Sequence, residues 1–274
     1  MALPDAHEVQ SSGIERLLRR DRWIVALALA LVTILAWAWL IRTGLPNKSM
    51  VTGSVMPGMA KAPAAMPSMP GYIATAFIMW LLMMIAMMLP SAAPMILVYA
   101  RFARIARRDG AVLVPTMLFI GCYIATWAAF SLLAATAQAA LVSSGLVSGA
   151  ALAFADHRVA GALLVAAGLY NLTPLKQACL AGCRSPLSFL TQHWQGSREG
   201  IIRLGLLHGA YCLSCCWLLM ALLFVSGVMN LSWVALLALI VAIEKLMPQG
   251  QKVACWMGAA MAMAGLAVMI SAWR

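Results

Sequence analysis

The sequence predicts an all-α protein, a polytopic transmembrane helix bundle of about seven spans with its N-terminus in the cytoplasm, and three observations carry that expectation. Residues of the set AVILMFWYC make up 64% of the chain and charged residues 10%, whereas a water-soluble domain carries about half and about a quarter. The apolar residues gather in runs close to the length of about 20 that a helix needs to cross a bilayer. Lysine and arginine alternate between the gaps that separate those runs. In 274 residues, such spans leave no room for a separate soluble domain.

Residues 1–22 read as a polar cytoplasmic segment, in which Arg16, Arg19, Arg20 and Arg22 lead into the first apolar run at 23–41. That run is too long for a signal-peptide core and no small-residue cleavage pattern follows it, so it is expected to be an uncleaved signal anchor. Residues 23–274 then form one transmembrane domain, with further runs at 73–95, 112–135, 159–180, 202–228, 232–247 and 253–273. Fourteen of the 19 basic residues fall on the side of the N-terminus. The other five, Arg42, Lys48, Lys61, Arg158 and Arg274, fall on the opposite side. Because cytoplasmic loops retain positive charge, the N-terminus is expected inside and the C-terminus outside. Two outer connections are long: 42–72, rich in Met and Pro, and 136–157, small and polar with Asp156 and His157. Neither has the pattern of a folded domain. The tetrapeptide Trp80-Leu-Leu-Met83 recurs as Trp217-Leu-Leu-Met220 in helices expected to run oppositely. An inverted repeat of the transporter kind and coincidence in a Leu- and Met-rich chain both fit it.

The net charge of +11 sits in short clusters between apolar runs rather than along one polar face. That distribution points to lipid headgroups as the partner and to no nucleic acid. Walker, Rossmann, Ser-His-Asp and HExxH patterns are absent from the sequence, which removes the usual NTPase, dehydrogenase and hydrolase readings. The seven cysteines, Cys122, Cys179, Cys183, Cys212, Cys215, Cys216 and Cys255, lie in or beside apolar runs, so a disulfide framework is not expected.

Chemistry is concentrated in five places. His208, Cys212 and Cys215 stand at i, i+4 and i+7, one helical face, with Cys216 beside it. Thiolate with imidazole suits a soft or borderline ion, copper first and zinc second, although cysteines in apolar helices also serve as small packing residues. Cys179 and Cys183 share a face if the helix continues past Pro174, a residue that makes a kink or break near Asn171 to Lys176 reasonable. Glu244, inside the sixth run, needs a partner. Lys176 or a bound cation fits better than Lys245, which points about 100° away around the helix; a surface-seeking pair of Glu244 with Lys245 is the alternative. In the second run Met79, Met83 and Met87 repeat every four residues, with Met84 and Met88 beside them. Thioethers bind Cu(I) without losing a proton, and methionine also fills irregular cores. The outer connection adds Met50, Met56, Met59, Met66 and Met69 where no core needs filling.

Taken together, Trp80-x-x-Met83-Met84-x-x-Met87-Met88-x-Pro90, Thr173-Pro174-Leu175-Lys176-x-x-Cys179-x-x-x-Cys183-Arg184-x-Pro186, Tyr211-Cys212-x-x-Cys215-Cys216-Trp217-x-x-Met220 and Glu244-Lys245-x-x-Pro248 resemble the bacterial family of predicted metal-binding integral membrane proteins. The resemblance covers roughly residues 75–250, and Ser214 stands where the pattern has glycine. It implies a multi-pass protein of the bacterial inner membrane that binds a soft metal ion and serves metal uptake, delivery or metalloenzyme assembly. A copper chaperone or a metalloenzyme is the partner such a role requires. The expected ligands are His208, Cys212, Cys215 and Cys216, with Cys179, Cys183 and Glu244 as further ligands or charge balance and Met83 and Met87 receiving the ion. A thiol-disulfide oxidoreductase using Cys212-x-x-Cys215, or a structural subunit of a membrane complex, remains open beside it.

Overall fold

The computed structural model describes residues 6–44, 69–106, 113–148 and 152–273. The methionines at 50, 56, 59 and 66 lie outside the described residues. Ten helices and one small hairpin are present among those described. Helices α1 (Ala6–Gly44), α2 (Met69–Ala106) and α3 (Leu113–Ser143) come first, so the polar N-terminal segment continues without a break into the first apolar run. The antiparallel pair β1 (Val147–Ser148) and β2 (Ala153–Phe154) follows, with Val147 opposite Phe154. The chain continues through α4 (His157–Leu172), α5 (Pro174–Arg184), α6 (Pro186–His193) and α7 (Arg198–Ala221). It ends with the short α8 (Leu223–Ser226), then α9 (Leu231–Leu246) and α10 (Gly250–Ser271).

Among the described residues, five stretches are long and apolar enough to cross a membrane: Trp23–Thr43, Met69–Ile105, Leu113–Ser143, Arg198–Ser226 and Gly250–Ser271. Where the sequence predicts a fourth span, α4 and α5 meet at 66°, the bend of a broken span or of a re-entrant loop. The break follows from the sequence. Pro174 has no N–H to continue the ladder of α4 and takes the first position of α5, while the Thr173 hydroxyl oxygen accepts from Lys176 N at 3.3 Å and caps the new helix. The sixth expected span, α9, has 16 residues and reaches about 24 Å, short of the ~30 Å hydrocarbon core. Its start is set by Asn230, whose side chain accepts from Trp233 N at 3.2 Å.

Helix α2 is the hub. Met79, Trp80, Met83, Met84, Met87, Met88, Met95 and Tyr99 are all buried on it. Pro90 inside α2 cannot donate to the carbonyl of Ala86, and the indole of Trp37 on α1 takes that place at 3.1 Å. Two close approaches fix the rest. A Cβ on Gly168 of α4 would lie 2.5 Å from the carbonyl oxygen of Gly258 on α10, so these backbones touch directly. A Cβ on Gly209 of α7 would overlap the Thr126 side chain of α3, and this second contact brings the middle of α3 against the cysteine-bearing face of α7.

Candidate metal centre

The last turn of α9 divides the charges. Glu244 and Lys245 are adjacent, about 100° apart around the helix, and both are buried, at 1% and 7% exposure. Glu244 faces α5, where its Oε2 lies 2.8 Å from Lys176 Nζ. Lys176 is itself fully buried and also donates to Asn171 Oδ1 at 2.5 Å. Lys176, one of the partners expected for Glu244, is in place. The surface-seeking pair with Lys245 does not form.

Lys245 faces another way, toward α7 and α2. Its Nζ lies 2.9 Å from Cys212 Sγ, 3.9 Å from Cys216 Sγ and 4.0 Å from Met88 Sδ. Cys216 Sγ in turn lies 3.9 Å from Met88 Sδ. Three sulfur atoms from two helices therefore surround one ammonium. The Tyr123 hydroxyl of α3 donates to the Met88 carbonyl at 3.2 Å and lies 3.1 Å from Cys212 Sγ, which ties the two sulfur-bearing helices together. The thiols of Cys215 and Cys216 donate to the Cys212 carbonyl at 3.1 and 3.0 Å.

Other expected residues fall around this cluster. Cys183, on α5, is close enough for its thiol to interact with Cys212 and Cys215. Cys179 is buried one turn earlier, beside Ser214 and Cys215. His208 lies one turn before Cys212, its ring 6.0 Å from Phe119 and 5.6 Å from both Tyr123 and Phe189. Among the described residues its Nδ1 is buried without a hydrogen-bond partner, an arrangement that leaves a nitrogen free for another ligand. Glu244 keeps one oxygen, Oε1, buried and likewise unpartnered.

The methionines divide differently from the sequence expectation. Met88 is the one at the cluster. Met83 lines a separate cleft of about 20 Å³ with Met79, Met229, Trp39 and Thr43, between α1, α2 and the start of α9. Met87 is buried at 2% exposure. The repeated tetrapeptides also have unlike surroundings: Trp80 is fully buried and donates to Gln138 Oε1 at 2.8 Å, whereas Trp217 is 42% exposed.

Among the described residues, no three of His, Cys, Asp and Glu are grouped so that they could hold a metal ion. The donors gathered here are of another composition, two thiols and a thioether, with an ammonium between them. That donor set suits a soft monovalent ion. It suits exchange with a partner thiol less well, since Cys212 and Cys215 are only 2% and 1% exposed and such exchange depends on access.

Sequence reasoning missed Lys245, Met88 and Tyr123 as members of this cluster. A signal for Lys245 was present: if Glu244 faces the interior toward α5, a neighbour about 100° away on a helix flanked by other helices faces the interior too. For Met88 and Tyr123 the deciding contacts are between helices, and no spacing within one helix announces them.

Fold and cluster together define a helical protein with a buried cluster of cysteine and methionine sulfur. A family described as PpoB2, copper chaperone, matches residues 77–268, a stretch that includes every residue of the cluster, and the chain belongs to that family. No curated protein and no solved structure matches it.

Proposed function

We propose that this protein binds Cu(I) inside a bacterial inner membrane on the sulfur atoms of Cys212, Cys216 and Met88 and delivers it to a copper enzyme or a further chaperone. The observation that carries this reading is the set of three sulfurs within 4.0 Å of one buried cation. Thiolate and thioether are the donors Cu(I) prefers, and the copper chaperone family supplies the role. Cys183, Cys215, Cys179 and His208 border the cluster and serve as the next ligands when the ion is passed on. Met79, Met83 and Met87 form a soft-donor track along α2 toward Met88.

Support for the membrane comes from the outer surface. Trp23, Leu27, Leu31, Ile34 and Leu35 of α1 and Trp256, Met263 and Leu266 of α10 are all more than half exposed, a large apolar surface that lipid would cover. The five long helices, the bent pair α4–α5 and α9 supply seven spans, with the bilayer thinned locally beside the short α9. With the N-terminus inside, α9 ends on the cytoplasmic side and the cluster lies in the inner half of the bilayer.

The test is metal content. Protein purified in detergent and loaded with Cu(I) under reducing conditions is expected to retain about one copper per chain, as a single soft-donor site requires. A variant with Cys212→Ser, Cys216→Ser and Met88→Leu should retain none. Equal copper in the two proteins would remove this reading.

A further inference from the structure

Burying a lysine in an apolar bundle demands compensation, and for Lys245 that compensation is unusual. Among the described residues its Nζ has three partners, all sulfur. The neighbouring carboxylate, Glu244, is already paired with Lys176 at 2.8 Å, and that pair sums to zero charge. Tyr123, His208, Cys183 and Cys215 complete the titratable groups around the cluster, and none of them carries a second permanent positive charge. Lys245 is thus an unmatched cation placed against the cysteines.

We propose that Lys245 sets the charge of the cargo at +1, neutralising the anionic complex that Cys212 and Cys216 form with a monovalent soft ion and discriminating against divalent ions such as Zn(II). The inference rests on the copper reading above and names the ion class of that same site. Binding breaks two S–H bonds and forms three metal–sulfur bonds, two to the thiolates and one to the Met88 thioether lone pair. The two protons leave to water, and no electron moves. A monovalent ion on two thiolates and the neutral Met88 thioether leaves a complex of charge −1. With Lys245 beside it the total is zero. A divalent ion on the same donors leaves a neutral complex, and Lys245 then adds an uncompensated positive charge within a few ångströms of the ion. In a low-dielectric interior that excess is heavily disfavoured. Lys245 yields the centre of the three sulfurs to the incoming ion and remains alongside as its counter-ion. The side chain therefore chooses among metals without being a ligand, and it favours Cu(I) and Ag(I) alike.

Competition titrations of the full-length protein in detergent, with Cu(I), Ag(I) and Zn(II) each set against a chromophoric chelator, test this in wild type, Lys245→Met and Lys245→Arg. Lys245→Met, similar in length but uncharged, should lose affinity for Cu(I) and Ag(I) by about tenfold or more while its affinity for Zn(II) rises. Lys245→Arg, which retains the charge, should keep the wild-type order. Helical circular dichroism and a monodisperse elution profile certify the fold of each variant. A folded Lys245→Met protein with the wild-type ratio of Cu(I) to Zn(II) affinity, or one that loses all three ions equally, overturns the inference while leaving copper binding intact for wild type. Wild-type protein that binds no Cu(I) overturns the functional reading itself and the inference with it.

Discussion

Lys176 and Lys245 are both buried at the last turn of α9, on faces about 100° apart, yet they are held by different chemistry. Lys176 has oxygen partners, Asn171 Oδ1 at 2.5 Å and Glu244 Oε2 at 2.8 Å. Ammonium and carboxylate oxygen form strong charge-assisted hydrogen bonds, and this centre locks α5 to α9 just after the break at Pro174. Among the described residues, the hydrogen-bond partners of Lys245 are all sulfur, at 2.9 to 4.0 Å. A thioether is a weak acceptor, so the ammonium is held loosely where a soft ion would be held well. Burial alone therefore does not tell a structural charge from one that serves a ligand. The partner atoms do.

The largest expected effect breaks the oxygen-bound side. Glu244→Ala leaves Lys176 buried without a counter-ion and should destabilise the protein by about 3–5 kcal/mol, read from denaturation in detergent micelles. Replacing both partners, Lys176→Met with Glu244→Leu, should recover most of that loss, because a buried ion pair is exchangeable for well-packed apolar groups. A single Glu244→Ala variant as stable as wild type would show that the pair does not lock α5 to α9. Lys245→Met should cost less, below about 2 kcal/mol, since it abandons weak acceptors rather than a charge. For copper the ranking reverses: the Lys176→Met/Glu244→Leu protein should keep Cu(I) affinity close to wild type. The methionines sharpen the same contrast. Met88→Leu, which removes one of the three sulfurs, should weaken Cu(I) by about tenfold, whereas Met83→Leu, in its separate cleft, should leave equilibrium affinity unchanged.

Much of the oxygen-bound centre was legible in the sequence, and little of the sulfur-bound one. A lone carboxylate in an apolar run must be paired, and Lys176, next to a helix-breaking proline, was the cation within reach. Helix content and the break at Thr173–Pro174 were readable because periodicity and proline chemistry are local. The sulfur cluster depends instead on how α2, α3, α7 and α9 are rotated against each other. His208, Cys212 and Cys215 could be placed on one face from their spacing, but which methionine of the second run meets that face is set by inter-helix packing around α2. Met83 and Met87 belong to the same four-residue repeat as Met79. Met88, one step off that repeat, is the one that reaches Cys216. Lys245 was legible only as a charge near a helix end, and such charges usually reach for water. Here α2 and α7 cover it.

The smallest expected effect concerns Tyr123, whose hydroxyl joins the backbone of Met88 to the thiol of Cys212. Tyr123→Phe removes both contacts without leaving the Met88 carbonyl bare, because Ser91 Oγ still donates to it at 2.9 Å. The stability loss should therefore stay near the net value of one hydrogen bond, about 1 kcal/mol. Cu(I) affinity should fall by less than about tenfold, since the hydroxyl orients Cys212 and does not itself coordinate. The Lys176 centre, on another face of α9, shares no hydrogen-bond partner with Tyr123, so the variant's loss should add to that of Glu244→Ala with little coupling. If Tyr123→Phe instead abolished copper binding in a folded protein, the phenol oxygen would have to be a ligand, and the contrast between an oxygen-held and a sulfur-held lysine would no longer mark where the metal goes.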